Sequence, residues 1–384
     1  MRFFTQLHRF YCGVDLHTKA MHVCIQDQDG NVLVDRNIAT DARTFLDLIA
    51  PYRDGLVVSV ECTFSWYWLA DLCQAHQIPF VLGHALYMRL IHGAKGKNDR
   101  IDADKITRLL RGGNFPLAYA YPKGMRETRD LLRRRMYLVR QRASLLVHVK
   151  IVNSQYNLPS LPRTLLGEGK RDDLAERFAD ASVRQNIAVD LRLIDYLSGL
   201  IHQMEEYLIR TVKVEDPETY LRLQSIPGVG RILGLVLLYE IHDWRRFDDV
   251  GQFLSYARLV RCAHESAGKR VGSGNPKIGN AHLKWAIAEA ACLFLACSER
   301  GRKWKQRHIQ KHGRGKAMSV LAAKLGRTVY HMLRKREVFE EDRFWNENRR
   351  ADKPATRART TVAASASTGS SSLLPAKGGR RARN

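Results

Sequence analysis

The chain has 384 residues, enough for two or three domains, and its 45% hydrophobic content excludes a disordered protein. Sixty-three Lys and Arg against 39 Asp and Glu give a formal charge of +24, which points to a polyanion, nucleic acid before anionic membrane. There is no apolar run of about 18 residues to span a membrane, no secretory-type start, and the seven cysteines form no Cys-x-x-Cys pair, so a cytoplasmic protein with reduced thiols and no zinc site is expected.

Along the chain, Tyr11 to Leu16, Met21 to Gln26 and Val32 to Ile38 read as three strands, with a turn at Asp29-Gly30-Asn31. A capped helix from Asp41 follows, then an apolar strand, Leu56 to Val60, ending in Glu61, a helix from Trp66 to Ala75, and a fifth strand, Pro79 to Leu82. Three antiparallel strands followed by strand/helix alternation give an α/β domain in ribonuclease-H-like order, a mixed sheet with flanking helices. Beyond Pro122 apolar pairs recur every seven residues, at Leu131/Leu132, Leu138/Val139, Leu145/Leu146 and Val152. With Ile194, Leu197, Ile201, Met204 and Leu208 they predict coiled-coil helices, packed as a hairpin or between protomers.

The first of these helices carries Arg126, Arg129, Arg133, Arg134, Arg135, Arg140 and Arg142. Such a row either tracks a phosphate backbone or is a solvated flank. Ser225-Ile-Pro-Gly-Val-Gly-Arg231 opens the third region. There Gly228 and Gly230 either present backbone N–H groups to a phosphate, as in helix-hairpin-helix modules, or allow a tight interhelical turn. A basic Gly/Ser-rich loop is expected from Glu265 to Asn280, then helices over Leu283 to Ala296 and Lys316 to Arg336, and a disordered basic tail from about Asp352. The division is thus 1–120 (α/β), 121–215 (coiled coil), 216–345 (mainly α) and 346–384 (tail).

Asp15 and Glu61 end apolar runs, and Asp99 and Asp102 lie in Lys-Asn-Asp-Arg-Ile-Asp-Ala. A carboxylate closing a buried strand is costly unless something compensates it. Spacing of i, i+3 puts Asp99 and Asp102 on one face of a helix starting near Asn98, with Asp104 pointing elsewhere. Four such groups suit a pair of Mg²⁺ ions about 4 Å apart, with Mn²⁺ as a substitute, in phosphoryl transfer. Singly, each has a plainer role as a strand-end turn, an ion pair or a helix cap. His17, His22 and His264 read as structural or nucleic-acid-contacting residues rather than catalytic ones.

Gly13-Val14-Asp15-Leu16-His17, Glu61 and Lys97-Asn98-Asp99-Arg100-Ile101-Asp102-Ala103 resemble the acidic motifs of the DEDD transposases of insertion-sequence 110/1111 type, relatives of Piv invertases with a RuvC-like N-terminal domain. Ile226-Pro-Gly-Val-Gly230, Arg246-Phe247, Glu265-Ser266-Ala267-Gly268-Lys269 and Lys277-Ile-Gly-Asn280-Ala-His-Leu-Lys284 resemble that family's C-terminal domain. The chain departs from it in having Glu-Ser-Ala-Gly where Gln-Ser-Gly is common, and Lys284 where Arg is frequent.

The resemblance implies an insertion-sequence transposase in which the RuvC-like carboxylates bind Mg²⁺ and Ser266 attacks DNA, in preference to Ser255 or Ser273. Lys269 and Arg270 beside Ser266 would bind phosphate, but no base is evident there, so a composite site with the acidic domain is expected. The resemblance also implies a non-coding guide RNA and a dimer or tetramer. The alternatives are a RuvC-like nuclease that hydrolyses branched DNA without Ser266, and a non-catalytic nucleic-acid-binding protein.

Overall fold

The computed structural model describes residues 2–91, 98–161, 172–211, 216–260, 263–267, 269–273 and 277–346. A short strand β1 (Phe3–Phe4) precedes β2 (Phe10–Leu16), β3 (Ala20–Asp27) and β4 (Val32–Ala39), then α1 (Ala42–Ile49), β5 (Leu56–Glu61), α2 (Trp66–Ala75) and β6 (Phe80–Gly83). Strands β4, β3, β2, β5 and β6, in that order, form one five-stranded sheet. The β2/β3 and β3/β4 pairs are antiparallel and the β2/β5 and β5/β6 pairs parallel. The five expected strands and both helices therefore stand where the apolar runs placed them.

The sheet is covered on both faces, which is why its strands read as nearly continuous apolar runs. Cys12, Val14, Val23, Ile25, Val58 and Val60 turn to one face, against Phe45 and Ile49 of α1 and Leu69 and Cys73 of α2. Tyr11 and Val57 turn to the other, against Ile106, Leu109 and Leu110 of α4 (Asp99–Arg111). Between β6 and α4 lies α3 (Ala85–Ile91), and after α4 strand β7 (Phe115–Pro116) returns to pair with β1.

Two long helices follow, α5 (Met125–Gln155) and α6 (Ala181–Thr211). Arg135 meets Glu205, Arg142 Nη1 lies 3.2 Å from Ser198 Oγ, and His148 pairs with Asp190, so the helices run antiparallel. Leu132, Leu138 and Val152 of α5 and Ile194, Ile201 and Leu208 of α6 are buried. Of the anticipated turn, 162–171 lies outside the described residues.

The remainder is mainly helical: α7 (Pro217–Gln224), α8 (Arg231–Ile241), α9 (Val250–Tyr256), a hairpin of β8 (Ala263–Ser266) and β9 (Lys269–Ser273), α10 (Ala281–Cys297), α11 (Glu299–His312) and α12 (Arg314–Lys335). One expectation needs correction, and one helix was not anticipated. The stretch predicted as a Gly/Ser loop contains an antiparallel hairpin, its tight end reached through Ala267 at φ 49°. The basic segment after Cys297 is a helix, α11, because Ser298 caps Gly301 N at 2.8 Å and Trp304 supplies one buried anchor despite the surrounding charge. Among the described residues no single helix is long and apolar enough to cross a membrane. Glu340 begins a separate unit, whose described part is the short helix α13 (Glu341–Asn346); the tail predicted from Asp352 lies outside the described residues.

Sheet and helical part meet through Arg126 with Asp71 and Tyr67 with Asp130, and the helices are tied to one another at a buried carboxylate. Glu240, in the otherwise apolar α8, has a side chain only 3% exposed and pairs with Arg129 (2.9 Å) and Arg133 (2.7 Å) of α5. Asn280 Nδ2 donates to it at 2.7 Å, while Asn280 Oδ1 caps α10 by accepting from His282 N and Leu283 N. Tyr121, on the segment leaving the sheet, donates its hydroxyl to the Glu240 carbonyl at 2.7 Å and receives the Arg129 guanidinium over its ring.

Burial alone would raise the Glu240 pKa, but the bonds and charge of Arg133 and Arg129 outweigh it and hold the carboxyl down at about 2. Removing one member of such a buried set leaves the others as uncompensated charges. Glu240→Ala is therefore expected to cost about 3–5 kcal/mol in denaturant unfolding. A carboxyl whose folded pKa lies below its ordinary 4.5 stabilises fully above that value. The wild-type advantage over Glu240→Ala should accordingly be complete at neutral pH and shrink as the pH falls from about 4.5 towards 2.

Candidate active site

The register Val14↔Val60 leaves Asp15 and Glu61 as the next residues on two adjacent parallel strands. Alternation places both on the face that α4 covers, with Tyr11 and Val57. Helix α4 starts at that same sheet end. Asn98 caps it, its side chain accepting from Ile101 N at 2.8 Å, and Asp99 and Asp102 occupy the first turn, where the helix dipole favours negative charge. The described structure thus brings Asp15 and Asp99 together with Asp102 close enough to act on Asp15, while Glu61 ends the neighbouring strand on the same face.

Gly13 sets how close the helix comes. A Cβ there would sit 2.3 Å from Thr107 Oγ1 and 2.6 Å from the Ala103 carbonyl oxygen, so any side chain would push α4 off the sheet. Thr107 Oγ1 uses the close approach to donate to the Ala103 and Cys24 carbonyls.

At the centre, His17 Nε2 lies 3.3 Å from Asp15 Oδ2 and 3.6 Å from Asp99 Oδ1, and the three donor atoms fall within 4.8 Å of one another. Asp102 accepts from Lys105 Nζ at 3.1 Å, whereas Asp104 turns away to Gln26 and Arg108. Burial raises the Asp15 pKa, His17 pulls it down, and Asp102 and Asp99 push it up again. Carboxylate oxygens with one imidazole, gathered within 4.8 Å, are a donor set that fits a divalent ion such as Mg²⁺ or Mn²⁺. His17 was read as structural or nucleic-acid-contacting, and its place in this cluster was missed. The signal was its closeness in sequence, since His17 follows Asp15 by two residues, just past the end of β2. Beside it, His17, Thr18, Thr40, Phe64, Ser65 and Trp68 line an open cavity of about 380 Å³.

Ser266 is exposed at the tip end of the β8–β9 hairpin, opposite Lys269, with Arg270 the next residue of β9. That hairpin is a separate two-stranded sheet, and no described contact joins Ser266 to the four carboxylates. Ser255 lies in α9 and Ser273 ends β9. His22 is bonded to Asp35, and His264 pairs with Gly272 in the hairpin ladder.

The arginine row of α5 is largely engaged within the protein. Arg126 binds Asp71, Arg129 and Arg133 bind Glu240, Arg135 binds Glu205, and Arg142 reaches Ser198. Arg134 and Arg140 are exposed. Gly228 has φ +87°, and a Cβ there would lie 2.7 Å from the Leu293 backbone, so this glycine serves close packing against α10. Gly230 precedes α8 as its cap residue, with open space where a side chain would be.

Two family models match the chain: one for IS110 DEDD elements, described as "Transposase", over residues 12–156, and one described as "Transposase IS116/IS110/IS902 family" over residues 220–309. The transposase for insertion sequence element IS1111A of Coxiella burnetii is 24% identical over 339 residues, covering 85% of this chain and 90% of its own. That for IS1328 of Yersinia enterocolitica is 23% identical over 341 residues, covering 86% and 98%.

Asp15 carries a raised pKa in the folded protein, so its ionised form costs stability that appears as the pH rises above the ordinary 3.8. Asp15→Asn should therefore raise the melting temperature of metal-free protein at neutral pH, with the gain vanishing below about pH 4. Adding Mg²⁺ or Mn²⁺ should raise the melting temperature of the wild type and leave that of Asp15→Asn nearly unchanged. Calorimetry across pH, with and without the cation, checks both.

Proposed function

Because this chain belongs to the IS110-type DEDD transposases, enzymes that act on DNA, we propose that it excises and inserts an insertion element by Mg²⁺-dependent, site-specific cutting and rejoining with Ser266 as nucleophile. The observation that carries this reading is the convergence of Asp15, His17 and Asp99 within 4.8 Å on the face that also holds Glu61 and Asp102. The strand order β4-β3-β2-β5-β6, with carboxylates at adjacent strand ends, supports a RuvC-like domain over about residues 1–120. The antiparallel α5–α6 pair supports a coiled-coil segment over 121–215, followed by a C-terminal transposase domain over 216–345 and a basic tail from 346.

Asp15, Glu61, Asp99 and Asp102 would hold Mg²⁺, with Mn²⁺ as a substitute that His17 tolerates. When bound there, the ions supply Lewis-acid stabilisation of the phosphate and ease deprotonation of the attacking hydroxyl. The residues of the chain do the positioning: the strand ends fix two carboxylates, and the α4 turn brings the other two over them. Ser266 Oγ would bond to phosphorus as the scissile phosphodiester bond breaks, and the phosphoserine ester keeps the bond energy for rejoining. Lys269 and Arg270, next to Ser266, would neutralise the phosphate. Because Ser266 stands apart from the acidic face, the active site is composite, completed when subunits and DNA assemble. Val147 and Ile151, exposed one turn apart on α5, support a seam for a dimer or tetramer.

DNA is the substrate. An element-derived guide RNA is the further partner, held by basic surfaces such as Arg134, Arg140 and the Gly230 turn, since phosphate contacts do not separate RNA from DNA. A cytoplasmic site of action goes with these partners.

The test is recombination of an element-end junction with its target, probed for a covalent protein–DNA adduct. Ser266→Ala should abolish the adduct and strand exchange, and Asp102→Ala should lower both by about a hundredfold or more. Cleavage persisting at wild-type rate in Ser266→Ala would instead establish a hydrolytic nuclease.

A further inference from the structure

We propose that Asp35, Arg100 and His22 form a clamp that positions the cation-binding turn of α4, an inference that rests on reading the Asp15–Asp99 face as a cation site. Asp35 lies on the edge strand β4, opposite Cys24 of β3, and so faces α4. Its Oδ2 accepts from Arg100 Nε at 2.6 Å and its Oδ1 from His22 Nε2 at 2.6 Å. Arg100 stands between Asp99 and Asp102 in the first turn of α4. His22 is the cross-strand partner of Asp15 in the β2/β3 register. One carboxylate on the sheet edge thus ties the turn bearing two of the proposed ligands to the strand position next to a third.

Among the described residues, the other polar contact from that turn to the sheet domain is the longer one of His17 Nε2, 3.6 Å from Asp99 Oδ1, and it ends on an exposed side chain. Further along, α4 is fastened to β3 by Gln26 Nε2 to Asp104 at 2.9 Å and by Thr107 Oγ1 to the Cys24 carbonyl at 3.1 Å, and its end by Arg111 to the Gln28 carbonyl at 3.3 Å. The Asn98 cap bonds only within its own turn. Yet the first turn is where like charges crowd, with Asp99 and Asp102 approaching Asp15. Asp35 is buried enough to be a fixed anchor, its side chain 23% exposed, and His22, 11% exposed, orients it from behind. His22 is too enclosed to reach a substrate, so all three are positioning residues.

The charge of Arg100 makes the idea decisive to test. A cation next to the site repels a divalent ion, so by Coulomb's law alone Arg100→Gln should tighten metal binding. The clamp requires the opposite. Mn²⁺ binding to the full-length chain, followed by loss of the free-ion electron paramagnetic resonance signal, should weaken about tenfold in Arg100→Gln. Asp35→Asn should weaken it similarly, and the double variant should be no worse than either single one, because both break the same link. Arg100→Lys should recover part of the affinity. Arg100 is 72% exposed, so its replacement leaves the core intact, and circular dichroism melting checks that. Unchanged or tighter binding in Arg100→Gln, with Asp99→Ala abolishing binding in the same assay, would overturn the clamp while sparing the cation site. Wild-type binding in Asp99→Ala would remove the cation site and the clamp together.

Discussion

A single buried carboxylate, Glu240, fixes how α5, α8 and α10 pack on one another. It sits in α8, a helix whose other side chains are almost all apolar, and satisfies two arginines of α5 and the amide that caps α10. Its own carbonyl receives Tyr121, from the segment that leaves the sheet, and also Arg246 Nη2 at 3.3 Å. Arg246 is in turn packed against the rings of Tyr119 (4.2 Å), Tyr256 (4.4 Å) and Phe247 (4.6 Å). Buried polar sets of this kind contribute little stability over an apolar core, but they are intolerant of any other arrangement of their members. The set therefore specifies where α5, α8 and α10 lie, and α10 directly follows the hairpin that carries Ser266.

The acidic site depends on a second constraint of the same sort, the absence of a side chain at Gly13. Because α4 lies almost on the backbone of β2, its first turn arrives beside the ends of β2 and β5 rather than a side-chain width above them. The four carboxylates come from three elements that each have their own reason to be where they are: two apolar strands in parallel register and one capped helix. The cost of placing a carboxylate there is visible in the raised pKa of Asp15, caused first by burial and further by Asp102 and Asp99, and a functional site is where such a cost is retained.

Much of this was legible in the sequence where one residue's neighbours in the chain are also its neighbours in space. Alternation and apolar runs identified the five strands, and the strand ends identified Asp15 and Glu61. Asn98, with its helix-starting pattern, placed Asp99 and Asp102 on one face. What escaped was set by tertiary partners. Glu240 passed unnoticed inside an apolar helix, although a lone carboxylate there demands a buried cation. The arginines of α5 read as a phosphate track or a solvated flank because their partners, Asp71, Glu205 and Glu240, lie far off in sequence. Arg246 and Asn280 were noticed as motif residues, yet their role as structural ties emerges only from contacts with Tyr121, Tyr256 and Glu240. The β8–β9 hairpin was hidden because glycine and serine are poor strand formers, so a short pairing there leaves no apolar alternation to read.

The engagement of the α5 arginines changes where the positive charge of the chain acts. A guanidinium bonded to a buried carboxylate contributes little field outside the protein, so the excess of +24 reaches solvent from other elements. Helix α11 is the clearest of these, with Arg302, Lys303, Arg307 and Lys311 exposed around the single anchor Trp304. The same contrast runs through the whole chain. Basic residues that meet acidic partners build the scaffold, whereas Asp15 and Asp99, bridged by His17 between the end of β2 and the start of α4, form an acidic cluster whose donor atoms lie within 4.8 Å of one another. A polyanion drawn to the exposed basic surface meets like charge at that acidic end, a repulsion that a cation held there would offset.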